Sequence, residues 1–107
     1  MKNENASKIK VLIDMEIKSL TKLFNGCVCV KEIKFIKFNR IDFTDFSYMF
    51  NSCINLINLD ITKLKTDNIE KMEYMFYNCS SLKTLNLSNF KTDKVKNMSE
   101  MLVIVNY

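Results

Sequence analysis

Shifting the chain by 26 residues lays 48–73 on 74–99 without a gap, and no other feature constrains the fold as tightly. Tyr48/Tyr74, Met49/Met75, Phe50/Phe76, Cys53/Cys79, Leu56/Leu82, Leu59/Leu85 and Met72/Met98 are identical pairs, as are the Lys-Thr-Asp runs 65–67 and 91–93. Ile61/Leu87, Leu64/Phe90 and Ile69/Val95 exchange one apolar residue for another. The same shift carried back to 22–47 keeps the apolar columns at Leu23, Phe24, Cys27, Val30, Ile33, Phe35 and Phe38, but Arg40-Ile41 replaces Thr-Asp. Upstream, Ile9, Leu12, Ile17 and Leu20 keep only the apolar spacing. The reading is therefore an N-terminal cap or degenerate coil over 1–21 and a repeat array over 22–107, divided as 22–47, 48–73, 74–99 and a truncated 100–107.

Within one unit the apolar period changes. Leu82-x-x-Leu85-x-Leu87 has the alternation of a short strand. Thr92-Asp93 then reads as a turn and helix entry, and Val95, Met98, Met101 and Leu102 follow at helical steps. Ile69, Met72, Met75 and Phe76 do the same one unit earlier, where Asp67 and Glu70 have capping-box spacing. These patterns predict an α/β repeat, a short right-handed leucine-rich-repeat-like solenoid of strand-turn-helix units. Parallel strands are expected near 33–35, 59–61 and 85–87, with Leu59 beside Leu85. One unit cannot bury its own apolar face, so the units must stack.

Composition narrows the function. The 107 residues are 48% hydrophobic and 26% charged, which is globular rather than disordered. Proline is absent and Gly26 is the single glycine, so no flexible linker is visible. The net charge is +4, but lysines alternate with acidic residues and form no basic run. A solvated repeat surface is preferred over a nucleic-acid patch. Lys10, Asp14, Glu16 and Lys18 interrupt the first apolar stretch, unlike a signal-peptide core, and no window has the length of a membrane span.

Chemistry has little to stand on. Histidine is absent, no serine lies in a nucleophile elbow, and there is no glycine-rich phosphate loop. Asp67 and Asp93 share a column but have a structural use as helix caps. Cys27, Cys53 and Cys79 stand one period apart, with Cys29 out of register. A disulfide between coils is conceivable, but a small apolar filler is the preferred role, and zinc lacks both a paired-cysteine spacing and a histidine. Methionines and aromatics repeated in every unit read as core rather than as a docking groove. No catalytic, cofactor or metal site is expected. What remains is the outward strand face, carrying Glu32 and Lys34, then Asn58 and Asp60, then Thr84 and Asn86. It is polar and lacks the aromatic and arginine anchors of hot spots.

The run Met75-Phe76-Tyr77-Asn78-Cys79-Ser80-Ser81-Leu82-Lys83-Thr84-Leu85-Asn86-Leu87-Ser88-Asn89-Phe90-Lys91-Thr92 resembles the BspA-type leucine-rich-repeat surface proteins, in particular their subgroup from mycoplasma lipoproteins. The likeness covers 43–102 well and 9–42 weakly. It implies a cell-surface or secreted array for protein binding or adhesion, with no catalytic residues to transfer. Two other readings stay open: an intracellular protein-interaction adaptor, and a truncated or frameshifted remnant of a longer surface repeat protein with no independent function. The second arises because residues 102–107 lack the Phe and Cys that the pattern calls for, as one lost base would produce. The apolar residues at 101–105 also predict self-association through the last coil.

Overall fold

The computed structural model describes residues 7–13 and 17–102. The residues from 103 on, where the frameshift reading falls, lie outside the described set. Three strands form one parallel sheet in the order β1-β2-β3: β1 (Lys8–Ile13), β2 (Glu32–Phe38) and β3 (Asn58–Asp60). β2 and β3 pair one period apart, with Ile33 beside Leu59 and Lys34 beside Asp60. β1 pairs with β2 at Lys8/Glu32 and shifts register after Val11, so that Leu12 faces Lys37. That extra residue on β2 lets Phe35 and Phe38 both turn inward while Ile36 stays 38% exposed. The strand expected at 85–87 does not form; Lys83 N–H bonds the Ile57 carbonyl there at 3.3 Å, and no further pairing follows.

The strand-turn-helix unit is wrong. No α-helix forms among the described residues, and the stretches expected to be helical are pairs of tight turns. The backbone shows why. Lys22, Tyr48, Tyr74 and Glu100 occupy one column and have φ between 53° and 64°. Gly26, Ser52 and Asn78, four residues further on in each unit, have φ of 71°, 60° and 60°. A left-handed residue every fourth position stops any helix from propagating. Hydrogen bonds divide accordingly. Met49, Asn51 and Cys53 donate within the turns to Phe46, Tyr48 and Phe50 carbonyls at 3.2–3.3 Å. Phe46, Tyr48, Phe50 and Ser52 donate outward to the Lys71, Glu73, Met75 and Tyr77 carbonyls of the next coil, at 2.8–3.0 Å. A helix would consume all of these donors internally.

Two successive four-residue turns bury their first and last residues: Phe46 and Met49, then Phe50 and Cys53, each 0% exposed. That is the spacing of a helix face over two turns, so the apolar pattern alone does not separate the two structures. The expected capping box fails with its helix. Asp67 instead pairs with Lys91 at 3.1 Å across the coils, and the Glu70 carbonyl accepts from Lys96 at 2.7 Å.

Rings stack along the columns. Phe24, Phe50 and Phe76 lie nearly parallel with centroids 5.8 and 5.6 Å apart, and Tyr48 lies on Tyr74 at 4.9 Å. Thr66 is buried, and its hydroxyl accepts the Lys91 N–H at 2.7 Å. In the first coil Arg40 holds that column. Its guanidinium grips Asp42 through two 2.8 Å bonds and reaches back to the Ile17 carbonyl at 2.8 Å. The lost Thr-Asp signature there marks a different tie to the preceding segment.

The sign of one substitution tests the turn geometry. Gly26→Ala meets no steric obstacle, since nothing lies within 4 Å of the added carbon. At an ordinary φ such a change stabilises by about 0.4–1 kcal/mol through the unfolded chain. At φ 71° it is expected to cost about 1 kcal/mol instead. Urea denaturation reads the sign, and a stabilised variant would contradict the left-handed turn.

Candidate functional site

Alternation along β2 and β3 sends one set of side chains inward and the other to solvent. Ile33, Phe35 and Leu59 are buried, whereas Lys34 and Asn58 are exposed and Glu32 and Asp60 half-exposed. Together with Lys8, Lys10 and Thr84 these outward residues line a shallow groove of about 380 Å³ across the sheet. Five of the six residues expected on a binding face therefore share one concavity: Glu32, Lys34, Asn58, Asp60 and Thr84. Asn86 lies outside it, exposed, with its side-chain oxygen accepting the Ser88 N–H at 3.0 Å.

The groove is polar and mixed in sign. Lys8 pairs with Glu32 at 3.3 Å on its β1 side. Asp60 accepts from the Thr62 hydroxyl at 2.7 Å and from the Thr62 N–H at 3.0 Å. These bonds, chiefly the hydroxyl, hold its carboxyl below the ordinary range, and Lys34 opposite adds to the effect. Asp60 is thus a fixed, ionised acceptor. Lys34, beside it on β2, and Asn58, Lys10 and Thr84 are exposed with no side-chain bond fixing them among the described residues. The arrangement offers hydrogen-bond donors and acceptors on a rigid backbone.

A second groove, of about 530 Å³, lies where β2 and the residues after β3 turn away. Lys37, Lys63, Lys65 and Lys91 line it with Thr62 and Asn89. Its lysines form no contiguous basic run in the sequence. The signal was in the period, because Lys37/Lys63 and Lys65/Lys91 are each one unit apart. Asn89 is structural here, donating to the Thr62 and Leu64 carbonyls at 3.1 Å, and Lys91 is engaged by Asp67.

The cysteine ladder is internal. Cys53 and Cys79 are free and fully buried, and their thiols donate to the Phe24 and Phe50 carbonyls at 3.1 Å. Burial pushes Cys53 up to about 12, with the neighbouring thiols adding to it, and pushes Cys79 up to about 11. Such thiols are poor nucleophiles and poor metal ligands at neutral pH. Cys27 is half-buried and Cys29 exposed. Among the described residues no three His, Cys, Asp or Glu side chains gather as metal ligands, and no helix is long and apolar enough to cross a membrane.

Residues 4–105 match a family described as Mycoplasma protein of unknown function, DUF285. No curated protein and no solved structure matches the chain.

Proposed function

The chain belongs to this Mycoplasma family of unknown function, and from that premise we propose that it is a non-catalytic module for protein binding or adhesion that presents its sheet face to a partner. The observation that carries the reading is the groove over β1, β2 and β3, where Lys34 and Asn58 stand exposed on a backbone fixed by parallel pairing, with exposed Thr84 at its margin. A rigid platform with free polar side chains suits recognition of a folded or extended protein surface at small entropic cost. The resemblance of residues 43–102 to BspA-type repeat surface proteins supports the same role, and the family is compatible with it.

The test uses a fixed panel of purified extracellular-matrix and plasma proteins, immobilised and probed with the chain. Saturable binding to at least one member is expected. The double variant Lys34→Glu/Asn58→Lys should weaken it at least tenfold, because both changes fall in the groove and neither touches the core. A variant outside the groove, Ile41→Ser, should bind as the parent does. Binding that ignores the double variant, or no binding to any member, would contradict the reading.

A further inference from the structure

The two ends of the stack are unlike each other, and each carries what the other lacks. At the C-terminal end the apolar columns open. Met98 and Leu102 are 46% and 49% exposed, whereas Met72 and Phe76, one unit earlier in the same columns, are fully buried. Leu82, Leu85, Leu87 and Phe90 are half-buried, against Leu56, Leu59, Ile61 and Leu64 in the core. At the N-terminal end Leu23 and Cys27 are likewise half-buried, against Met49 and Cys53 at 0%.

The backbone gives these ends a polarity. Met72, Tyr74 and Phe76 donate their N–H groups to the Asn97, Ser99 and Met101 carbonyls. Met98, Glu100 and Leu102 hold the same positions in the last coil, and their N–H groups have no such partner among the described residues. The opposite end is the mirror case. Lys22, Phe24 and Gly26 donate to the Ser47, Met49 and Asn51 carbonyls. The corresponding carbonyls of Thr21, Leu23 and Asn25 accept no such bond from the described residues. One end therefore offers donors at every second residue and the other offers acceptors at the same interval. β1 completes the acceptor end as an edge strand of the sheet.

We propose that the C-terminal coil of one molecule docks on the N-terminal coil of a second copy, head to tail. The occupant is a second copy because a face built to pair with a coil of this kind finds the matching spacing, apolar columns and acceptors on the chain's own other end. Two copies add the bonds Met98, Glu100 and Leu102 to Thr21, Leu23 and Asn25, and cover both open apolar ends at once. Such contacts are heterologous and do not close on themselves, so association continues beyond the dimer. An open edge without such a partner is an association hazard in any sheet protein.

Sedimentation velocity over rising concentration tests this with two blocked variants. Met98→Lys/Leu102→Lys puts charge on the donor end, and Leu23→Lys puts it on the acceptor end. The parent chain is expected to grow past the dimer as concentration rises. Each blocked variant alone still has one open end of each molecule but no complementary one, so each remains monomeric. Mixed, they form a one-to-one dimer and stop, since only one productive pairing is left. Circular dichroism matching the parent confirms that each variant is folded, and Leu102→Lys alone replaces the double variant if that one is not. A parent that stays monomeric overturns the proposal. So does a Leu23→Lys variant that still dimerises by itself, which would show the two donor ends meeting symmetrically. Lys34 and Asn58 stand on β2 and β3, away from both ends of the stack, so Lys34→Glu/Asn58→Lys is expected to associate as the parent does.

Discussion

Replacing Phe50 by alanine is expected to cost about 3–5 kcal/mol, the range for deleting a fully buried aromatic. Phe50 is 0% exposed and makes three ring contacts: a stack on Phe24, a stack on Phe76 and an edge contact with Phe35 at 6.2 Å. Among the described residues it is the middle of the one ring column that joins three successive coils through parallel faces. Small domains are stable by about 5–15 kcal/mol in all, so the variant should be unfolded in large part at physiological temperature. The backbone makes relaxation around the cavity difficult, because Phe50 N–H is tied to the Met75 carbonyl at 3.0 Å and its carbonyl holds the Cys79 thiol. Ile54→Ala, at a site 38% exposed, is the control and should lie within about 0.5 kcal/mol of the parent. Urea denaturation measures both. A loss below about 1 kcal/mol for Phe50→Ala would mean that the ring column does not hold the coils together.

Stability should also fall steeply in alkali. In the unfolded chain thiols ionise near their ordinary value of 9.0, while in the fold Cys53 holds its proton to about 12 and Cys79 to about 11. Below the ordinary range both states are protonated, and the thiols do not affect the balance. Above it the unfolded chain has released protons that the folded chain retains, so unfolding becomes coupled to proton loss. Each thiol then removes about 1.4 kcal/mol per pH unit, and both act together up to about pH 11, the value reached by Cys79. On that scale, about 5 kcal/mol is lost over two pH units, comparable to the whole stability of a small domain. The double variant Cys53→Ala/Cys79→Ala should be less stable at neutral pH but lose much less of its stability between mildly and strongly alkaline conditions. Tyrosine ionisation remains in both proteins and cancels in the comparison. Equal slopes would show that the thiols are not sealed in the core.

The columns of this fold are legible in its sequence. The one-period alignment of Phe24, Phe50 and Phe76 is a physical stack, and Cys53 and Cys79 sit inward where apolar neighbours imply. Phe46, Met49, Phe50 and Cys53 satisfy two turns of helix and two four-residue turns equally well, so their spacing points to a helix that the chain does not form. The column Gly26, Ser52, Asn78 held the deciding signal. Glycine and asparagine tolerate the left-handed region, and a helix has no reason to repeat them there. Tyr48 and Tyr74 gave no such warning, since tyrosine is not selected for that conformation, and the stacking of their rings is a feature only of the assembled coils. The strand face was readable from alternation at Ile33 and Leu59, but alternation at Leu85 and Leu87 did not yield a fourth strand. A strand needs partners as well as pattern, and these residues lie at the open end of the sheet. The lysine-lined groove was hidden because Lys37 and Lys91 each stand one unit away from Lys63 and Lys65 and meet them only through the period.

Coil-to-coil backbone bonding is the feature on which all of this rests, and scalar couplings across hydrogen bonds in an isotope-labelled sample report it directly. The account predicts couplings from the amide nitrogens of Tyr48, Phe50 and Ser52 to the carbonyl carbons of Glu73, Met75 and Tyr77. Couplings from those same nitrogens to carbonyls four residues earlier in the chain would mean a helix and would contradict it.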